Sequence, residues 1–325
     1  MNPDLRALAD EYWEYMLESQ PTNAHMLGDY RYMDRMEDAS RAGEDADVAQ
    51  QRSFTARAEA FDPETLDPAD RITRDTLIYE AGTSAGVSEM RQAEFGIDPI
   101  FGPQAVFQVV IPQMSVETPE HAERMLDKYS AIAQMLDQGS ERLREGIAAG
   151  RVNAKFAVAS TVSQIDDLLA TPVEEDVFLK AQMPSAYSDE DAAAWRERAA
   201  KIVEDEIRPA FERYRDVIRD EVGPVARPDE KAGLKYLPDG DLVYARLIER
   251  YTTLPLQAEE IPEIGLQQID RLAKESLELA GPLLGTTSLA DIFTALRDAP
   301  ELHHTTAEGV LKLSEEAFAA AKAGM

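Results

Sequence analysis

The chain has 325 residues, 44% of them hydrophobic, and carries 33 basic against 62 acidic side chains for a net charge of −29. Cysteine is absent, which excludes disulfides, thiolate metal sites and cysteine nucleophiles. A field of this sign repels phosphate backbones and anionic lipid surfaces, so neither nucleic acid nor a membrane is an expected partner.

Helical periodicity dominates from the first residues. Asn2-Pro3-Asp4 reads as a cap, a proline at the first helical position and an acid in the first turn. Leu5, Leu8, Tyr12 and Met16 follow at helical spacing up to Gln20-Pro21. The acidic, small-residue-rich stretch 36–49 reads as a solvated loop or helix start. A further helix starts at Asp67-Pro68, with Ile72, Thr76 and Tyr79 on one face. Ala105 to Ile111 looks β-like, although Pro103 and Pro112 allow a short buried helix equally well. From Thr118-Pro119-Glu120 an apolar series runs through Met125, Tyr129, Ile132 and Leu136 to Gly150. Unbroken, that helix would be about 45 Å long, and Gly139 is the expected bend. Val158, Val162, Ile165 and Leu169 line the next face before Thr171-Pro172. Ser188 with Asp191 resembles a capping box opening a long helix through Trp195, Phe211, Tyr214 and Ile218, with Pro209 expected to kink or divide it.

Helical patterns at 242–251, 261–279, 288–297 and 305–322 complete the chain, the last behind a capping box of Thr305 and Glu308. No apolar run approaches the roughly 18 residues of a membrane span. The start MNPDLRALADEYWEYM lacks a basic segment followed by an apolar one, so a cytoplasmic protein is expected. The expected fold is all-α, built from long antiparallel helices. Its expected parts are a helical lobe over 1–222, a proline- and glycine-rich hinge or cleft turn over 223–241, and a helical segment over 242–325.

Chemistry-bearing residues are few. The histidines are His25, His121, His303 and His304, and no HExxH occurs, so the two-imidazole-plus-base arrangement of a zinc peptidase is not encoded here. Gly82-Thr83-Ser84-Ala85-Gly86 is a literal GxSxG, but a nucleophile elbow needs a strand before its serine. Here both flanks read as one amphipathic helix with a small-residue packing face. Glu301-x-x-His304 has the i, i+3 spacing of a di-iron ligand pair, in one copy where two are needed. It reads as a polar loop before a helix. The acidic clusters at 166–167, 174–176 and 189–191 are expected as solvated faces. His25 reads as a hydrogen-bonded structural histidine and His121 as a surface group. Tyr236, Tyr244 and Tyr251 surround the Leu237-Pro238-Asp239-Gly240 turn, where core packing is the default and a cleft wall the alternative.

Three stretches together carry a family resemblance. They are Pro21-Thr22-Asn23-Ala24-His25-Met26-Leu27-Gly28 with Asp29, Leu143-Arg144-Glu145-Gly146-Ile147-Ala148-Ala149-Gly150, and Gly233-Leu234-Lys235-Tyr236-Leu237-Pro238-Asp239-Gly240. The last is followed by Tyr244, Thr252-Thr253, Glu259-Glu260-Ile261 and Gly265-Leu266. In this order and spacing they resemble the bacterial family known as domain of unknown function 885. The resemblance implies a helical, cleft-type zinc metallopeptidase whose HExxPGHH-like helix lies in a C-terminal half that this sequence lacks. No zinc ligand or general base can therefore be carried onto any residue here, and zinc is expected only in that other half. Pro262 stands where the family often has a histidine.

The resemblance implies an N-terminal, metal-free lobe that supplies walls of a peptide-substrate cleft, with Tyr236 and Tyr244 as candidate cleft residues. The partner would be the missing half or a neighbouring chain. A stand-alone helical binding or scaffold protein is the alternative, and a serine hydrolase resting on Ser84 a third.

Overall fold

The computed structural model describes residues 2–324, without the side chain of Glu301. Among them the fold is all-α, and the only strand-like pairing is a single bridge between Ala154 and Arg227. The chain divides into two compact units, 1–255 and 256–325.

Local chemistry sets the first elements. Helix α1 (Pro3–Ser19) starts where the Asn2 side chain accepts hydrogen bonds from the amides of Asp4 and Leu5, and it buries Leu5, Leu8 and Leu17. A short α2 (Pro21–Met26) follows directly. Helices α3 (Arg41–Glu59) and α4 (Pro68–Ser88) then pair closely. Ala58, Ala81 and Ala85 are fully buried there, and a Cβ on Gly82 would lie 3.5 Å from Thr55. This is the small-residue face expected around Ser84. Phe54 fills the space between these helices and α1, with the Tyr12 and Tyr15 rings 5.3 and 5.6 Å away.

The β-like segment is helical. Helix α5 (Pro103–Val110) begins with proline at its first position and buries Gln104 and Phe107. A helix spacing places those two on one face, and among the described residues no strand is present to hold an extended segment. Helix α6 (Pro119–Ala149) is the central element of the first unit. Its 31 residues run through Gly139 without interruption, so the bend expected there does not break the helix. Both ends follow the sequence: Thr118 caps the His121 amide at 3.1 Å, and Gly150 adopts the left-handed conformation at φ +72° that favours glycine.

The largest core lies around α6. The Trp195 indole N–H donates to the Ala122 carbonyl at 2.7 Å, and the Tyr129 hydroxyl to the Phe178 carbonyl at 2.9 Å. Both rings are fully buried, and each polar atom has the partner that burial requires. Helix α7 (Lys155–Ala170) contributes Val158 and Ile165 to the same core.

Helix α8 (Asp189–Ile202), opened by the expected Ser188–Asp191 capping box, continues through a π-helical turn (Val203–Ile207) into α9 (Arg208–Asp216) and a second π-helical turn (Val217–Val222). Proline 209 therefore does not end the helix. In an α-helix its ring would meet the carbonyl four residues back. The π-turn uses i to i+5 bonds instead, such as Arg208 N–H to Val203 O, and the proline follows immediately.

The proline-rich 223–241 segment lies in the first unit. Arg227 fastens it, donating to the carbonyls of Val152, Lys231 and Gly233 at 2.7, 2.7 and 2.8 Å. Helix α10 (Gly240–Thr252) then packs on α4. The second unit contains α11 (Glu260–Leu284), α12 (Leu289–Asp298) and α13 (Ala307–Gly324). Among the described residues no single helix is long and apolar enough to cross a membrane.

Two glycines of α6 should answer differently to a methyl group. At Gly146 a Cβ would collide with the Glu94 carbonyl oxygen and lie 2.8 Å from that of Arg151. At Gly139 it would meet only the Tyr214 ring, at 3.7 Å. Gly146→Ala is expected to lower the unfolding free energy by about 2–4 kcal/mol, since backbone must move. Gly139→Ala is expected to change it by less than about 1 kcal/mol. Denaturant unfolding of both variants measures the contrast.

Candidate functional site

The three stretches that carry the resemblance all lie in the first unit, and the second and third meet there. The second is the last two turns of α6. Its end touches the third, because a Cβ on Gly150 would lie 3.7 Å from the Pro238 ring. In that third stretch Asp239 has φ +56°, and Gly240 packs so tightly under the Leu234 carbonyl that no side chain fits. The turn from Leu237 to Gly240 is thus a backbone feature, pinned by Arg227 at Gly233.

The first stretch is α2, which lies at the other end of a chain of contacts along α6. His25 is buried, its Nε2 lies 2.7 Å from the Ser115 carbonyl, and its Nδ1 has no partner among the described residues. Burial holds its pKa below the ordinary imidazole value, only partly opposed by the Ser115 contact, with Lys128 and His121 lowering it further. The Ser115 contact makes His25 hydrogen-bonded, as its position in a short turn suggests. His121 is half-buried rather than on the surface, with the Tyr30 ring 4.5 Å from its own.

Next to the second stretch lies a buried ionic cluster. Arg142 donates to Glu145 and, at 2.5 Å, to Glu44, with Glu94 3.8 Å away. Glu94 in turn accepts from Arg41 at 3.1 Å and Arg151 at 2.6 Å. Arg91, held at a left-handed φ of +57°, reaches Glu44 at 2.6 Å and Asp45 at 2.5 Å. Arg142 and Glu94 are almost wholly excluded from water. Sequence reading missed this cluster because its members are scattered over 110 positions; the only local sign is arginine inside the motif-bearing helix.

Lys128 is a second buried cation. Its Nζ donates to the Arg35 carbonyl at 2.6 Å. Burial pushes its pKa down to about 8 despite the carboxylates of Glu37 and Asp34 nearby. It ties α6 to the segment 35–39, which Gln138 also holds through Ala39 and Asp38, both at 3.0 Å.

The other residues singled out by sequence fall as follows. Ser84 lies half-buried inside α4 with no strand before it, so the nucleophile-elbow geometry does not form. His304 is exposed, and the Glu301 side chain lies outside the described residues. Asp166 pairs with Arg215 at 3.1 Å and Asp191 serves the capping box. Asp176 departs from the solvated reading: it is buried against Arg208 at 2.9 Å and caps the amide of Phe178. Among the described residues no three histidine, aspartate or glutamate side chains converge as metal donors.

Tyr236 and Tyr244 both lie at the turn. Tyr236 ends the 3-10 turn Leu234–Tyr236, with Lys235 Nζ 5.1 Å from its ring centroid. Tyr244 lies one turn into α10, which packs on that 3-10 turn. Their exposures are 43% and 41%, so neither ring is a core residue.

Among the described residues the fold is all-α, with glycine-dependent close approaches at Gly146 and Gly240 beside one long helix. The chain belongs to the family described as bacterial protein of unknown function (DUF885), which matches residues 21–325. Among solved structures it is similar to that titled "the putative lipoprotein from Colwellia psychrerythraea", with a TM-score of 0.78 at 16% identity. The match covers 96% of this chain and 57% of that one, so this chain spans little more than half its length. No curated protein matches the sequence.

Two outcomes follow from the buried charges. Glu94→Gln leaves Arg142, Arg41 and Arg151 without their shared buried counter-charge and is expected to cost about 3 kcal/mol in denaturant unfolding. For Lys128, the unfolded chain holds the proton up to the ordinary value of 10.5 while the folded chain releases it near 8. Between these values the unfolded state binds more protons, so stability rises with pH. That gain, complete above 10.5 and lost as pH falls through 8, should amount to roughly 3 kcal/mol. It should be absent in Lys128→Met, measured as unfolding free energy against pH for both proteins.

Proposed function

We propose that this chain is the N-terminal, metal-free helical lobe of a zinc-dependent, peptidase-like hydrolase. It supplies walls of the substrate cleft, and the metal and its ligands come from residues outside 1–325. The observation that carries this reading is the uncovered apolar surface of the second unit. In α11, Ile269, Leu272, Leu279 and Leu283 fall within about 80° of the helix circumference at the helical repeat, yet are 63%, 51%, 74% and 85% exposed. In α13 Val310, Leu311, Leu313 and Phe318 are exposed and no described residue is buried. Helices with a broad apolar stripe are stable when another element covers it, and exposed patches of this kind mark interaction surfaces. Coverage of 57% of the similar solved chain is in keeping with a lobe.

On this reading the turn around Pro238 faces substrate. Two glycine-dependent close approaches, at Gly146 and Gly240, fix the backbone, and Tyr236 and Tyr244 present amphipathic rings able to contact a peptide.

The test joins or co-expresses this chain with the segment or neighbouring chain encoded directly downstream, then measures zinc content and peptide hydrolysis. About one zinc per assembly, with hydrolysis that neither part performs alone, is the expected result. An assembly without zinc or activity overturns the lobe reading in favour of a scaffold. In the active assembly, Tyr236→Ala with Tyr244→Ala should lower kcat/KM about tenfold at unchanged zinc content. Unchanged kinetics remove the two tyrosines from the cleft.

A further inference from the structure

The glycines of the Gly82-Thr83-Ser84-Ala85-Gly86 stretch serve no nucleophile, yet both line a cavity. Helices α3, α4 and α10 border about 510 Å3 there, within the size range of small-molecule sites. A glycine inside a helix costs about 0.5–1 kcal/mol relative to alanine, and packing demands neither of these. A Cβ would lie 3.5 Å from Thr55 at Gly82 and 3.7 Å from Arg246 at Gly86, both ordinary contacts. What the two missing side chains do is leave the floor of the cavity bare.

One wall carries an ordered set of groups. Arg52, Thr55 and Glu59 line the cavity from one face of α3, at i, i+3 and i+7. Contacts with α4 fix their register: Arg52 Nη2 lies 3.9 Å from the Cβ position of Gly86, Thr55 lies beside Gly82, and Arg74 Nη2 donates to the Glu59 carbonyl at 3.4 Å. A cation, a hydroxyl and a carboxylate therefore follow one another over about 10 Å of helix.

Some of these groups are already engaged. Glu89 holds Arg52 at 2.8 and 2.6 Å, and Arg74 holds Asp75 at 2.6 Å. Arg246 is the open cation. Its Nε also lies 3.9 Å from the Gly86 Cβ position, so two guanidinium groups flank that end of the cavity. Its one side-chain partner among the described residues is Glu249, on Nη1 at 3.3 Å. The Nε–H and the second Nη are left as donors, and the side chain is 45% exposed, so solvent and solutes reach it. At the other end the Glu59 carboxylate is exposed and has no partner among the described residues. Between them the Thr55 hydroxyl donates to the Gln51 carbonyl at 2.9 Å, which leaves its oxygen free to accept.

These demands define the occupant. A carboxylate suits the open Arg246 donors, which match it as a planar fork. An amide N–H suits the Thr55 oxygen, and an ammonium suits Glu59. A simple anion would meet the charges of Glu59 and Glu249, and a simple cation those of Arg52 and Arg246. Three extended peptide residues span about 10 Å, the length of the wall.

We propose that this cavity binds a short zwitterionic peptide with both ends free, about three residues long, its carboxylate on Arg246 and its ammonium on Glu59. Binding requires neither zinc nor any residue outside 1–325, so its failure and the failure of the lobe reading are separate results.

The probe is trialanine, titrated calorimetrically into the full chain at neutral pH. Saturable binding at one site per chain is expected. N-acetyl-trialanine, which lacks the ammonium, and trialanine amide, which lacks the carboxylate, should each bind about 3- to 10-fold more weakly. Arg246→Gln should weaken trialanine by a similar factor, and Gly86→Leu, which fills the floor, by at least about tenfold. If Gly86→Leu fails to fold by circular dichroism, Arg246→Gln, on the exposed side of α10, carries the test. Absence of saturable binding overturns the proposal. Binding that the folded variants retain unchanged also overturns it, because the peptide then sits elsewhere on the chain. Equal affinity for trialanine and either capped peptide overturns the pairing assigned to that end.

Discussion

A carboxylate kept from water, Glu94, must be answered by cations, and that requirement organises the first unit. Arg41 comes from the start of α3, Arg142 from α6 and Arg151 from just beyond its end. The start of α3, the segment around Glu94 and the end of α6, which are far apart in sequence, are thereby held to one point. The backbone that carries Glu94 then presses against α6 so closely that only glycine fits at position 146. Breaking such a buried set is far costlier than never having built it, so its geometry acts as a positional constraint more than as a source of stability. Through Gly150 the same constraint sets where the Pro238 turn meets the end of α6.

Much of the helical framework was legible because its signals are local. Caps at Asn2, Thr118 and Ser188 fall where the polar side chain precedes the apolar series, and each one bonds to an amide two or three residues on. Elements governed by their neighbours read less clearly. Ala105 to Ile111 has β-branched composition, yet a proline start and a one-sided core contact make it a helix. Pro209 carries a true local conflict with the α-helix, which the preceding π-turn resolves by changing the bonding pattern.

The chemistry of the site was less legible. Glycines 146 and 240 stand in the motif stretches, but the collisions that require them involve Glu94 and Leu234 carbonyls that sequence does not place. The cluster around Arg142 joins residues 41 to 151 and has no spacing rule. The acidic excess hides such sites: with 62 carboxylates, a run such as 174–176 reads as solvated, and the burial of Asp176 against Arg208 follows only from how α9 packs. Tyr236 and Tyr244 were readable as residues beside a turn, and their half-exposure is what distinguishes them from the core tyrosines Tyr129 and Tyr214.

The two π-turns flanking α9 have a consequence for how this rod tolerates change in length. Each π-turn holds one residue more than the α-helical repeat accommodates, which rotates everything beyond it by roughly 100° relative to an uninterrupted helix. Between them, Ala210, Phe211 and Tyr214 face the core, and beyond the second, Val222 does so as well. The rod therefore works as a vernier: losing a residue from a π-turn can be absorbed by reversion to α-helix with the inward face preserved. The same loss within α9 itself has no such slack and would turn Phe211 or Tyr214 away from the core.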